Sequence, residues 1–154
     1  MSEILSMKSL RAAVANCSID TVIAAFPDMQ GRLMGKRFHA KFFVDNAWEE
    51  THCCNYLIAT DLEMETVDGY ESTSWSAGYG DYVMRPDLDT LCVLPWLEGT
   101  ALVLCDLLDH HTHELVPHAP RTVLKQQLKR AADLGLAMMA ATELEFFVFR
   151  ETFE

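Results

Sequence analysis

The spacing of apolar side chains changes along the chain, and each change marks an element. Ile4, Met7, Leu10 and Val14 recur at helical spacing, and only Arg11 breaks their stripe. They predict an amphipathic helix over residues 4–15, capped by Ser2 or Ser6. Residues 19–26, IDTVIAAF, are apolar and β-rich, and the run Pro27-Asp28-Met29-Gln30-Gly31 is turn chemistry. With a returning strand over 33–38 they predict a hairpin. Residues 40–46 and 49–59 both fit short helices. Residues 62–77 are rich in Asp, Glu, Ser, Thr and Gly and predict a long loop, which Gly78-Tyr79-Gly80-Asp81 continues. Three strands follow, 82–84, 90–94 and 101–107, parted by Pro86-Asp87 and by residues 95–99. A polar stretch, 109–118, is the expected domain boundary. Residues 120–134 predict a helix with Pro120 early, an apolar stripe of Val123, Leu124, Leu128, Ala131 and Leu134, and Gly135 as its stop. Residues 137–149 predict a strand. Near its end Glu143, Glu145, Phe147 and Phe149 fall on one side, and Leu144, Phe146 and Val148 on the other.

Composition narrows the classes. A length of 154 residues with 50% apolar content suits one compact domain of about 100–150 residues and a piece of a second. The net charge of −11, from 12 basic and 23 acidic residues, opposes binding to nucleic acid or an anionic membrane. The basic cluster Arg121, Lys125, Lys129 and Arg130 sits at helical spacing and reads as a solvated helix face. The longest apolar runs fall short of the ~20 residues of a membrane helix, and residues 1–15 lack a signal-peptide core. The five cysteines are odd in number, two are adjacent, and no CxxC occurs. They read as reduced, mostly buried thiols of a cytoplasmic protein.

The main chemical constellation is Glu143 and Glu145. At ~3.3 Å rise per residue, two carboxylates at this spacing stand roughly 6.6 Å apart on one strand face. That is too wide for one shared proton and suits two hard cations bridged by phosphate oxygens. A bare E-x-E also occurs on solvated edge strands. Here the strand is otherwise apolar, and buried carboxylates need partners, which favours a site.

Those residues also carry a resemblance. The run Thr142–Phe149, TELEFFVF, resembles the E-x-E-F-F-x-F strand of the glutamine synthetase family. Gly78-Tyr79-Gly80-Asp81, Arg85-Pro86-Asp87-Leu88-Asp89-Thr90-Leu91, Leu94-Pro95-Trp96 and the run from Gly99 to Asp106 resemble its loop-and-strand signature. Pro120-Arg121 resembles its helix-opening motif, and Asp28-x-x-Gly31-Arg32-x-x-Gly35-Lys36 its early hairpin. Together they cover nearly the whole chain in one order.

The resemblance implies an α+β fold. Residues 1–112 would be a β-grasp-like amino-terminal domain, and residues 113–154 the first helix and strand of an incomplete catalytic domain. It implies an ATP-dependent ligase that joins glutamate to ammonia or a small amine through γ-glutamyl phosphate, with Mg²⁺ or Mn²⁺ ions stabilising phosphoryl transfer. Glu143 and Glu145 match metal-binding glutamates of that site. The partners implied are glutamate, ATP, the amine, and further copies of the chain in a ring whose sites are shared between subunits. Within such a ring a loop near residues 67–81 would reach the next subunit, with Asp68 or Asp81 on the amine side. Asp68-Gly69 and Trp75 resemble the family's loop, whereas residues 70–73 depart from its run of small residues. The G-Y-G-D and L-P-W versions resemble a divergent branch, such as γ-glutamyl-polyamine ligases, more than the glutamine-making one. The isolated 154 residues are expected to be inactive, because the remaining ligands would lie beyond them.

Two other classes stand beside this one: a non-catalytic relative serving assembly, and a small acidic α+β binding module. Keeping two costly carboxylates opposes the first, and an apolar terminal strand with nothing to cover it opposes the second. His110, His111, His113 and His118 read as a solvated linker rather than a metal centre, because no regular ligand spacing accompanies them. Cys53-Cys54 reads as core packing, and Met138-Met139 likewise.

Overall fold

The computed structural model describes residues 4–152. Its architecture is mixed α+β, centred on one five-stranded sheet. In chain order the elements are helix α1 (Met7–Ala15), strands β1 (Thr21–Pro27) and β2 (Leu33–His39), and a short helix α2 (Ala40–Phe42) that runs into a π-helical turn (Phe43–Ala47). Then come β3 (Thr51–Cys54), a 3₁₀ turn (Asn55–Ile58), β4 (Asp81–Val93), β5 (Thr100–Asp109) and helix α3 (Pro120–Asp133). No helix among the described residues is long and apolar enough to cross a membrane.

The strand order is β2-β1-β5-β4-β3. The central pair, β1 and β5, is parallel, with Val22 beside Ala101 and Ala24 beside Val103. The pairs β1–β2, β4–β5 and β3–β4 are antiparallel. Alternation then assigns the faces. Val22, Ala24 and Phe26 of β1, Ala101, Val103, Cys105 and Leu107 of β5, and Tyr82 and Met84 of β4 all enter one buried cluster. Leu10 of α1 and Phe43 of the π-helical turn, both fully buried, close that cluster. Residues of opposite parity, Asp87 and Asp106 among them, meet α3.

Local chemistry explains the ends. Ser6 caps α1, and Ser9 returns a bond to the Ser6 backbone, completing a capping box. Ser2 lies outside the described residues, and Ile4 lies before the helix in an isolated bridge with Cys92. Helix α3 begins with Pro120 at its first turn. It ends with Gly135 at φ +74°, where Gly135 N–H donates to the Ala132 carbonyl and Leu136 N–H to that of Ala131. This is a Schellman stop. Gly35 of β2 pairs with Ala25 and packs directly on the β1 backbone. A Cβ there would run into the Ala24 carbonyl oxygen and come within 2.7 Å of the Ala25 Cα.

Four expectations change. Residues 51–58 form a strand and a 3₁₀ turn rather than a helix, because β3 pairs with residues 81–84 of β4. The strands expected at 82–84 and 90–94 are one strand, β4, with a register shift between Asp87 and Cys92. Pro86 does not break it. β3 begins opposite Met84, its first residue Thr51 pairing there, so beyond that point one side of β4 has no β3 neighbour and a missing N–H is tolerated. The predicted apolar stripe of α3 is not buried: Val123, Leu124, Leu128 and Leu134 are all exposed, and Thr122 is the helix's one buried residue. Finally, residues 137–149 form no ladder with the described chain, and Leu144, Phe146, Phe147, Val148 and Phe149 are exposed. A strand needs backbone partners, and this segment has none among the described residues.

Candidate functional site

The side chains singled out by sequence separate into two regions. Asp68 and Asp81 belong to the excursion between the 3₁₀ turn and β4. Glu143 and Glu145 are exposed on the extended segment after α3 and line neither of the cavities described below. Among the described residues no group of three or more His, Cys, Asp or Glu side chains is gathered to hold a metal ion. The donor set present is two carboxylates, hard oxygen ligands of the kind Mg²⁺ and Mn²⁺ accept one or two at a time. It is incomplete as a centre.

The excursion is tied down at both ends. Val67 N–H donates to the Ala59 carbonyl, and a bridge between Thr60 and Thr66 closes the turn before it. At its far end Asn55 N–H donates to the Gly80 carbonyl at 2.9 Å. The Asn55 side chain accepts from Gly80 N–H at 3.2 Å and from Thr73 Oγ1 at 2.8 Å. Thr73 and Ser74 are buried, while the rest of residues 68–80 is exposed. Tyr56 meets Tyr79 edge-on at 5.6 Å, and Tyr79 meets Trp75 at 6.2 Å. Trp75 itself is 81% exposed.

Two hollows flank this excursion. The smaller, about 560 Å³, is lined by Asp68, Tyr70, Glu71, Ser74 and Trp75 among others. The larger, about 1030 Å³, is lined by Asp81, Asp109, Glu114, Tyr79, Tyr82 and His118 among others. Tyr70, Glu71 and Ala77 line both and form the wall between them. Neither is lined by lysine or arginine, so both favour cations over anions. Asp109 accepts from the N–H groups of Thr112 and His111, and these bonds hold its pKa below the ordinary value. Burial pushes the His118 imidazole down, so it is neutral near pH 7, and its Nε2 has no hydrogen-bond partner among the described residues. Burial also pushes the Tyr82 hydroxyl up, against a hydrogen bond with Ser72.

Two ionic networks hold the frame. Asp28, at the β1–β2 turn, is 1% exposed. Burial alone would raise its pKa, but bonds from Arg32 Nε and from the N–H groups of Arg32 and Gln30 outweigh it, and the net shift is downward. The same guanidinium donates to the carbonyls of Asp61 and Leu62 and to Thr60 Oγ1. It thereby joins the hairpin turn to the base of the loop that carries Asp68. In the second network Arg121 and Lys125 of α3 bridge Asp87 of β4 and Asp106 of β5. Arg121 is only 16% exposed. Half of the basic cluster read as a solvated face is therefore a clamp, and Lys129 and Arg130 make only exposed contacts within the helix. The signal was present in the sequence, since both aspartates and Arg121 lie in the segments that carry the family resemblance.

The remaining candidates are peripheral. His52, His110 and His111 stack edge-on at 5.2 and 5.3 Å, and His113 Nδ1 lies 3.9 Å from an exposed Glu50 carboxylate. All five cysteines are unpaired. Cys53 and Cys105 are buried, Cys17 and Cys54 are exposed and Cys92 is intermediate, so burial is less general than expected. Met138 and Met139 are exposed rather than core.

Residues 117–154 match the family described as glutamine synthetase, catalytic domain. The chain is 52% identical over 151 residues to the gamma-glutamylethanolamide synthetase GlnA4 of Streptomyces coelicolor, covering 97% of this chain and 32% of that protein. It is 35% identical over 144 residues to a glutamate–isopropylamine ligase of Pseudomonas, covering 93% of this chain and 31% of that one. It thus spans about a third of the length of these relatives. Among solved structures, apo GmaS superposes with a TM-score of 0.57 at 25% identity, over 80% of this chain and 26% of that one. The GmaS/ADP complex superposes with a TM-score of 0.58 at 23% identity, over 87% and 26%. By sequence along nearly all of its length, and by fold, the chain belongs to the glutamine synthetase family.

Proposed function

We propose that this chain is the amino-terminal part of an ATP-dependent glutamate–amine ligase that forms a γ-glutamyl amide through γ-glutamyl phosphate. The observation that carries the reading is the 52% identity over 97% of the chain to a γ-glutamylethanolamide synthetase. An alkyl amine, rather than ammonia, is the nitrogen donor. The second relative is a glutamate–isopropylamine ligase, which supports the same class. A polyamine remains within that class. The enzyme works in the cytoplasm, in keeping with five unpaired thiols.

Residues 1–112 are read as a β-grasp-like domain and residues 113–154 as the start of the catalytic domain. The mixed sheet with a parallel centre supports the first, and the family match beginning at residue 117 supports the second. The exposed apolar side chains of α3 and of residues 136–149 are then faces that the rest of the catalytic domain covers. Glu143 and Glu145 would each hold a Mg²⁺ or Mn²⁺ ion there, and such ions would supply charge neutralisation for phosphoryl transfer. Asp68 and Asp81 face the amine. Their loop serves a neighbouring subunit in a ring, which its exposed Trp75 suits, and the 154 residues alone are inactive.

In this reading the residues of the chain act on the incoming amine before chemistry. An alkylammonium is drawn toward walls that hold carboxylates and no lysine or arginine. A carboxylate such as Asp68 accepts its N–H bonds and takes the proton that must leave before nitrogen can attack. Tyr70 and Trp75 present aromatic faces to the alkyl part and to the charge.

The test is phosphate release by the intact protein with ATP and glutamate, across ammonia, methylamine, ethanolamine, isopropylamine and a polyamine. Stimulation by at least one alkyl amine beyond ammonia is expected. Release that no amine stimulates would remove the ligase reading and leave a non-catalytic relative.

A further inference from the structure

The loop 68–80 is mostly exposed, yet it contains one of the most deeply buried polar side chains in the molecule. Thr73 is 1% exposed, and its hydroxyl donates to the Asn55 side-chain oxygen at 2.8 Å. Asn55 is 8% exposed and also grips Gly80 twice, through its side-chain oxygen and its backbone N–H. One asparagine on a fixed 3₁₀ turn therefore holds the middle and the end of the loop. The residues between these two fixed points, 74–79, include Trp75 and Tyr79. Asp68 lies five residues before the first, and Asp81 directly follows the second.

We propose that Asn55 and Thr73 are positioning residues that set the loop bearing Asp68, Trp75 and Asp81 in the pose from which it receives the amine. This deepens the ligase reading and rests on it. A loop of this composition has no apolar core of its own and would otherwise sample many conformers, reducing the fraction competent to bind. The buried hydroxyl–amide bond removes that freedom, and Thr73, its donor, lines neither hollow. Asn55 is suited to the task because one oxygen accepts two donors at once. Removing either donor leaves the other in place, so the loop loosens without the turn collapsing.

The test uses Thr73→Val, which keeps the shape and deletes the hydroxyl, with Thr73→Ser as the rescue. In the intact protein, hydrogen exchange of amides 68–80 should quicken about fivefold in Thr73→Val, the scale of one lost hydrogen bond. With ethanolamine as the amine, its KM should rise by a similar factor, while KM for ATP and KM for glutamate hold and the melting temperature falls by no more than the few degrees that one hydrogen bond accounts for. Thr73→Ser should restore both exchange and KM. Equal behaviour of the two variants, or a parallel change in all three KM values, overturns the proposal. If the wild-type protein uses no amine, the ligase reading fails by itself. Loop exchange then decides alone: quickening supports the latch and unchanged exchange overturns it.

Discussion

Replacing Arg32 with methionine should destabilise the protein by about 2–3 kcal/mol, and the reason lies in what it leaves behind. The Asp28 carboxylate has 0% side-chain exposure and sits 2.6 Å from Arg32 Nε. Breaking a buried ion pair costs about 3–5 kcal/mol when the surviving charge has nothing else. Here Asp28 keeps the N–H groups of Gln30 and residue 32, and the arginine is 29% exposed, so the lower figure applies. The bonds from the guanidinium to Asp61 and Leu62 are also lost, freeing the base of the loop. In a protein of this size the melting temperature should fall by about 5–10 °C. The pH dependence adds a second check. Folding holds the Asp28 pKa below its ordinary 3.8. Its contribution is therefore complete above that value and is lost as pH falls through the folded pKa. Urea unfolding between pH 7 and pH 2.5 should show this acid limb in the wild type and a smaller one in Asp28→Asn. A methionine variant within about 0.5 kcal/mol of wild type, or an unchanged acid limb in Asp28→Asn, would refute the argument.

Three further outcomes follow from the frame. Gly35→Ala should cost more than about 3 kcal/mol or prevent folding, since both atoms its Cβ would strike are backbone of β1; circular dichroism and urea titration report it. Arg121→Met should cost about 2 kcal/mol by urea unfolding, because Lys125 is then the one basic partner left to Asp87 and Asp106 among the described residues. At that clamp burial opposes the charges, but the ion pairs prevail, lowering Asp87 and raising Lys125. The Asp87 contribution should vanish as pH falls below the ordinary 3.8, and that of Lys125 as pH rises above 10.5. Burial pushes the Cys53 and Cys105 thiols up to about 12, so iodoacetamide at pH 8 should label Cys17 and Cys54 in the native state and spare those two, as peptide mass mapping would show.

Much of the frame was legible because the signals were local. The hairpin β1–β2, the Ser6-capped helix and the proline-opened, glycine-stopped α3 each carry their instruction within a few residues. The misreadings share a different cause. Pro86 looks locally like a break, because its tolerance depends on where β3 begins, 35 residues earlier in the chain. Residues 51–54 look helical in isolation because their strand identity comes from pairing with 81–84. The same holds for the candidate site. Asp68 and Asp81 were found by pattern, but the residues that hold their loop, Asn55 and Thr73, are 18 positions apart and carry no motif. Arg121 and Lys125 look like a solvated helix face in sequence because their aspartate partners lie on two strands distant in the chain. Glu143 and Glu145 rest on resemblance, since their segment meets no partner among the described residues.

In the proposed ligase reaction a glutamate carboxylate oxygen attacks the γ-phosphorus of ATP and later departs with phosphate when an amine displaces it. Glutamate labelled with ¹⁸O in its γ-carboxylate tests this in the intact protein, with ethanolamine as the amine and mass spectrometry of the phosphate released. One labelled oxygen per phosphate, matched one-to-one by γ-glutamylethanolamide, is the expected result. Unlabelled phosphate, or phosphate formed without any amide, would contradict it.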